Sequence, residues 1–274
     1  MSGVRHMIYN DTLSKILNEL QYKYRFIYKS NPGNAGDSVI AAATYDYFEK
    51  NRLLFSFWSD KETYNSQRDI LIYAGGGNLI EGLYMDGYNF INQQYKSFYK
   101  TIILPHTILG YDDLFVNNQD RFIICCREEI TYNKIVSLGY IDNKSVLLTH
   151  DMAFGLILRK YLDKKTPISL KGEVNCFRTD DESNFNSKHE NNHDISLSWN
   201  GDYWANISLA RNSTRSLISF LREFKVVNTD RLHIAILGSL LNMNVKFYPN
   251  SYYKNEAVFN RSILNMFPNT IFIK

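Results

Sequence analysis

Short runs of almost wholly apolar residues alternate with helix-length segments along the first half of this chain, and that alternation limits its fold more than any other feature. Arg25–Tyr28, Leu53–Trp58, Ile70–Ala74, Ile102–Leu104, Phe122–Cys126 and Val146–Leu148 read as strands. Helices are expected at Asp37–Lys50, which carries successive alanines, around Tyr88–Tyr99, and at Glu128–Leu138, closed by Gly139 as a C-cap. Strands apolar at nearly every position, separated by helices, indicate a parallel sheet covered on both faces. After Asp151 the pattern restarts. A helix over Met152–Tyr161 leads through Lys164-Lys165-Thr166-Pro167, read as a linker, to strands at Val174–Phe177, Lys225–Val227, Val245–Tyr248 and Ile271–Ile273. Helices are expected at Thr214–Phe224 and Leu232–Leu241. A chain of 274 residues suits two domains of roughly 100–150 residues each. The expected fold class is therefore α/β, with two Rossmann-like domains at 1–163 and 168–274.

Composition excludes more than it assigns. The net charge of +3 is too mild for a nucleic-acid partner, and no basic run resembles an arm or tail. No stretch reaches the roughly 18–20 apolar residues of a membrane span, and the N-terminus lacks a signal-peptide core, so a cytoplasmic protein is expected. Cys125, Cys126 and Cys176 lack metal-ligand spacing and read as buried thiols; no metal site is expected. The polar, unpatterned stretch 179–195 reads as a mobile lid or a surface loop.

Ligands of open parallel sheets bind beyond the carboxyl ends of strands, so the polar residues there are the candidates. Asn228-Thr229-Asp230-Arg231-Leu232-His233 places an acid, a guanidinium and an imidazole where a strand meets a helix, with Asp230 read as the N-cap. A helix N-terminus favours anions, and a planar fork donor beside it suits carboxylate or phosphate. Arg178 follows the first strand of the second domain and reads equally as a partner of Arg231 or as an ion pair with Asp180 or Asp181. In Asn31-Pro32-Gly33-Asn34-Ala35-Gly36-Asp37 the glycines allow a tight turn; Asp37 reads as a cap or as part of a binding loop. Gly75-Gly76-Gly77-Asn78 implies close approach of a ligand or of a partner strand. His106, at another strand end, is either a hydrogen-bonded structural residue or a site residue. Arg127 reads as a clamp on Glu128 or Glu129.

Taken in order, Gly-Asn-Ala-Gly-Asp, Gly-Gly-Gly-Asn, Cys-Arg-Glu-Glu-Ile-Thr, Thr-His-Asp-Met-Ala-Phe and Thr-Asp-Arg-Leu-His resemble the polysaccharide pyruvyl transferase family, from about residue 30 to the last helix. The resemblance implies a glycosyltransferase-B-like architecture with the active site in the interdomain cleft. It implies phosphoenolpyruvate as donor substrate, no cofactor, and a sugar diol of a surface polysaccharide or its lipid-linked precursor as acceptor, giving a pyruvate ketal. Arg231, Leu232 and His233 would bind the donor with Arg178, and Asn34 and Asp37 match the N-terminal loop. Gly76, Gly77, Asn78 and His106 complete the substrate-binding set. The chain departs from the family at Leu104-Pro105-His106-Thr107, where a glutamine and a following Gly-Pro are more usual.

This implied chemistry agrees with the residues. Phosphoenolpyruvate carries a carboxylate and a phosphate on neighbouring groups, for which guanidiniums and a helix N-terminus form a receptor. His233 is the candidate general acid, or a phosphate donor as imidazolium, and Asp37 the candidate base. A lipid-linked acceptor would bring the enzyme to the inner membrane face. The rival readings are a nucleotide-sugar glycosyltransferase, for which Glu256 is the only evident ribose ligand, and a non-catalytic sugar-binding protein.

Overall fold

The computed structural model describes residues 11–141, 144–162, 170–184 and 191–274. The expected linker 164–167 lies outside them, as does the middle of the 179–195 stretch. By internal contacts the chain forms two compact units. One comprises residues up to Asn31 together with Thr44–Gly155; the other comprises Pro32–Ala43 and Leu156–Lys274.

The first unit is built on a seven-stranded sheet. Its strands are β1 (Arg25–Lys29), β3 (Phe55–Phe57), β4 (Asp69–Tyr73), β5 (Gly76–Ile80), β6 (Lys100–Leu109), β7 (Phe122–Cys126) and β8 (Val146–Leu148). The order is β3-β1-β4-β6-β7-β8, with β5 also pairing β6, and every pairing is parallel. β4 and β7 are buried at every position, as strands covered on both faces must be. Tyr28 sits at the centre of an aromatic cluster, edge-on to Tyr45, Phe48 and Phe55. The helix Glu129–Ser137 starts where the Glu128 carboxylate accepts the Thr131 N–H at 2.9 Å, and Gly139 follows its end at φ +93°. The helix Asp11–Gln21, absent from the sequence reading, precedes β1.

Two expectations need correction here. The Gly75–Asn78 segment, expected beyond the end of a strand, is itself largely strand: β4 breaks at Ala74-Gly75 and the chain resumes as β5 along the same neighbour, β6. A Cβ on Gly75 would lie 2.8 Å from the Pro105 carbonyl, so the partner strand requires this glycine. β6 accordingly extends well past Leu104, with its register shifting between Ile103 and His106, where Pro105 has no N–H to donate. The helix expected over Met152–Tyr161 is instead a pair of 3-10 turns, Met152–Gly155 and Leu158–Lys160. Ile157, at φ −85° and ψ 81°, leaves the helical region between them.

The second unit has a four-stranded parallel sheet in the order β13-β12-β11-β9: β9 is Lys171–Asn175, β11 Phe224–Thr229, β12 Asn244–Phe247 and β13 Thr270–Phe272. A short antiparallel pair joins β2 (Gly33–Asn34) to β10 (Asn200–Gly201). The helix Ala35–Asn51 follows β2, and its Ser38 hydroxyl donates to Ser213 at 3.0 Å on the helix Ile207–Leu221. That helix begins seven residues before the expected Thr214 because Asn206 caps it, accepting the Leu209 N–H at 3.0 Å. The helix Leu232–Leu240 is buried along most of its length. Among the described residues, no helix is long and apolar enough to cross a membrane.

Candidate functional site

In the second unit, β11 ends at Thr229, and the chain must turn within Asp230-Arg231 to start the next helix. Thr229 Oγ1 fixes this turn by donating to the Cys176 carbonyl at 2.7 Å and accepting the Arg231 N–H at 2.9 Å. The helix cap is Arg231, not Asp230, and its side chain makes no capping bond. The Asp230 carboxylate has turned instead onto the Arg178 N–H, at 2.7 Å. That bond joins the ends of β9 and β11, while Asn255 Nδ2 holds the Asp230 carbonyl at 2.7 Å and the Tyr248 carbonyl at 2.9 Å. Asp230 is fully buried and its Oδ2 has no hydrogen-bond partner. Burial pushes its carboxyl up to about 6, against the lowering effect of Arg178 and Arg231.

Arg231 and Arg178 do converge, through a shared carboxylate. Arg231 gives Nε to Asp194 Oδ1 at 2.9 Å and Nη2 to Asp194 Oδ2 at 2.5 Å, and its Nη1 lies 2.9 Å from Asp180 Oδ2. Arg178 gives Nε and Nη2 to the two oxygens of Asp180, at 2.7 and 3.1 Å, with Nη1 2.9 Å from Glu182. Both guanidiniums are nearly buried. Burial alone would raise the Asp180 pKa, but its bonds to Arg178 and the charges of both arginines hold it below the ordinary carboxylate value. Lys254 and Asn250 complete the cluster by engaging Glu182. The ion pair weighed for Arg178 thus exists with Asp180, joined by Glu182.

Asp194, Glu182, Asn250 and Lys254 escaped the sequence reading. Asp194 and Glu182 fall in the unpatterned stretch 179–195, where neither periodicity nor spacing marks them. The described ends of that stretch are tied down, Thr179 to Asp194 by two bonds and Phe177 to Asn192 by another two.

The loop containing Asn34 and Asp37, read in the sequence as part of the first domain, groups by contacts with the second unit and meets the Arg-Leu-His segment directly. Asn34 Oδ1 accepts the Gly36 N–H at 2.7 Å. A Cβ on Gly36 would lie 2.9 Å from His233 Nδ1, and one on Gly33 would strike the Asp37 carboxylate. Only bare backbone at 33 and 36 lets Asp37 and His233 pack onto this loop. Leu232 is buried. Asn34, Asp37, Arg178, Arg231, Leu232 and His233 therefore belong to one unit.

Gly76, Gly77, Asn78 and His106 form a separate group in the first unit. His106, opposite Gly76 in the β5–β6 register, is wholly buried, with Nδ1 3.2 Å from the Ala74 carbonyl and Nε2 3.0 Å from Asn78 Oδ1. Burial, then the Arg127 charge, lowers its pKa to about 3, so the ring is neutral. Asn78 Nδ2 in turn donates to Tyr73 Oη at 2.9 Å. His106 is thus hydrogen-bonded through both ring nitrogens.

Arg127 clamps neither Glu128 nor Glu129 but Asp151, at 2.6 Å, and Thr107 Oγ1, at 2.8 Å. Asp151 also accepts the Ala153 N–H at 2.8 Å, at the start of the 3-10 turn Met152–Gly155. Glu256, the ribose ligand of the rival reading, lies on the helix Lys254–Val258, partly exposed and 3.1 Å from Lys274. The three cysteines are buried and unbridged. Among the described residues, no group of three or more His, Cys, Asp or Glu side chains could hold a metal ion.

Comparison with known proteins bears on this geometry. The chain is 57% identical to a functionally uncharacterised protein of Klebsiella pneumoniae subsp. pneumoniae NTUH-K2044, whose crystal structure superposes with a TM-score of 0.91 over 97% of this chain and 100% of that one. No curated protein matches the chain. The family model described as polysaccharide pyruvyl transferase matches residues 34–250, a span that opens at Asn34, includes Arg178 and the Arg231–His233 segment, and ends at Asn250 beside Glu182. On that match, the chain belongs to the polysaccharide pyruvyl transferase family.

Proposed function

We propose that this transferase moves the enolpyruvyl group of phosphoenolpyruvate onto two hydroxyls of a sugar in a surface polysaccharide or its precursor, closing a cyclic pyruvate ketal. One observation carries the reading. Arg231 and Arg178 meet on Asp180 at the start of the helix Leu232–Leu240, whose second residue, His233, lies against the glycines of the Asn34–Asp37 loop. The donor's phosphate and carboxylate replace the Asp180 carboxylate between the two guanidiniums, and Asp194 stays in place to orient Arg231.

His233 delivers a proton to the methylene carbon, which leaves C2 electron-poor. One sugar hydroxyl adds at C2 and gives up its proton to a base, for which Asp37 is the candidate. The C2–O bond to phosphate then breaks, and a second hydroxyl closes the ring as its proton leaves with phosphate. Phosphoenolpyruvate is a metabolite of the cytoplasm, so the reaction belongs there, at the inner membrane face when the acceptor is lipid-linked. The test is phosphate release from phosphoenolpyruvate, with acceptor present, by wild type and by Arg231→Ala. A loss of at least a hundredfold is expected, and unchanged turnover would end the proposal.

A further inference from the structure

The second unit exposes an aromatic pair beside the candidate site that the donor chemistry does not use. Trp199 and Tyr203 are each 44% exposed, and their rings stand edge-on with centroids 5.8 Å apart. The intervening residues are Asn200, Gly201 and Asp202, so the surface reads aromatic, amide, glycine, acid, aromatic. Asn200 and Asp202 are exposed as well.

This patch is fixed to the loop that meets His233. Asn200 pairs with Asn34 and Gly201 with Gly33 in the β2–β10 ladder. Behind the exposed rings, the wholly buried Trp204 donates Nε1–H to the Gly33 carbonyl at 3.2 Å and packs edge-on to Tyr203 at 6.1 Å. A Cβ on Gly201 would lie 2.6 Å from Cε2 of Tyr203, so the bare backbone at 201 is what allows the Tyr203 ring to rest there and approach Trp199.

Two large rings exposed side by side make a patch of the kind a partner covers. The partner that fits rings flanked by an amide and a carboxylate is a pyranose. Its C–H face lies against an aromatic face, and its hydroxyls take the neighbouring polar groups. We propose that Trp199 and Tyr203 form the platform on which a sugar ring of the acceptor is held next to the Asn34–Asp37 loop, with Asn200 and Asp202 receiving its hydroxyls. This rests on the reading of the chain as one that modifies a polysaccharide.

The probe is an oligosaccharide mixture prepared from the source organism's surface polysaccharide by mild acid, which also strips ketals. Saturation-transfer NMR reads its contact with wild type, Trp199→Ala, Tyr203→Ala and Trp199→Phe, and thermal shift with phosphoenolpyruvate is recorded on the same samples. Transfer to sugar ring protons is expected in wild type, at least fivefold weaker in each alanine variant, and largely restored by phenylalanine, with the phosphoenolpyruvate shift unchanged. No transfer in wild type, or undiminished transfer in both alanine variants, overturns the platform. Sugar contact that depends on Trp199, in a protein giving neither a thermal shift nor phosphate release with phosphoenolpyruvate, upholds the platform and removes the donor reading.

Discussion

Asp194 grips Arg231 along one edge of its guanidinium, Oδ1 on Nε and Oδ2 on Nη2, while Asp180 touches the remaining nitrogen from the other side. The two acids differ in exposure: the Asp194 side chain is 6% exposed and that of Asp180 35%. Both are bidentate, Asp180 on Arg178 and Asp194 on Arg231, but a carboxylate open to water is replaced by an incoming anion more readily than one sealed from it. That asymmetry makes Asp194 the orienting acid and Asp180 the exchangeable one.

Asp180→Asn therefore lowers the KM for phosphoenolpyruvate. The substrate anion no longer competes with a carboxylate that bridges both arginines, and the amide still accepts a hydrogen bond from Arg178. A decrease of about three- to tenfold corresponds to roughly 0.7–1.4 kcal/mol, a modest fraction of a charge interaction at a partly exposed site. Steady-state kinetics at fixed acceptor measure it, and a raised KM contradicts the exchange.

Asp194→Asn acts on stability first. Losing the Asp194 charge leaves the buried Arg231 with only the partly exposed Asp180, and breaking a buried ion pair costs up to about 3–5 kcal/mol. Urea unfolding should show a loss of that order, against less than about 1 kcal/mol for Asp180→Asn. Equal losses in the two variants would contradict their assigned roles.

Gly36→Ala separates backbone from side-chain effects at the loop. The position lies in the first turn of the helix Ala35–Asn51 and has no positive φ, so alanine suits the backbone. Its methyl would come within 2.9 Å of His233 Nδ1 and 2.8 Å of Asn34 Oδ1. Transfer is expected to fall at least tenfold, mainly in kcat, while the unfolding midpoint moves little. Full activity in this variant would detach His233 from the chemistry.

The strands were legible because residues such as Ile70–Tyr73 and Phe122–Cys126 are apolar on both faces, and burial on both faces requires that pattern. The convergence of Arg178 and Arg231 was legible as one of two readings, because both residues follow strand ends. The grouping of Asn34 and Asp37 with His233 was not. It depends on the two-residue pairing of Gly33-Asn34 with Gly201-Asn200, far too short to leave a periodic signal. Asp194 was invisible for the same reason: its role comes from the turn that carries it back to Arg231. The glycines at 75–77 stand out in the sequence, but sequence alone does not choose between a ligand and a strand as the neighbour that requires them.

Opposed titrations of Asp230 and His106 make stability a test of both environments. Asp230 rises from 3.8 to about 6 on folding, so the contribution of its protonated form is complete below about 3.8 and is lost as pH climbs through 6. At roughly 1.4 kcal/mol per unit, the loss is on the order of 3 kcal/mol by neutrality. His106 falls from 6.5 to about 3, so the contribution of its neutral form is complete above 6.5 and is lost as pH drops towards 3. Asp230→Asn keeps an acceptor for the Arg178 N–H and cannot ionise. Between pH 4 and 7 its stability relative to wild type should therefore increase with pH. His106→Asn should show the reverse, gaining on wild type as the solution is acidified. Urea midpoints taken at half-unit pH steps give both differences directly. Curves for wild type and Asp230→Asn that run parallel would mean that this carboxyl titrates as it does in water, and that its burial between Arg178 and the helix start is misjudged.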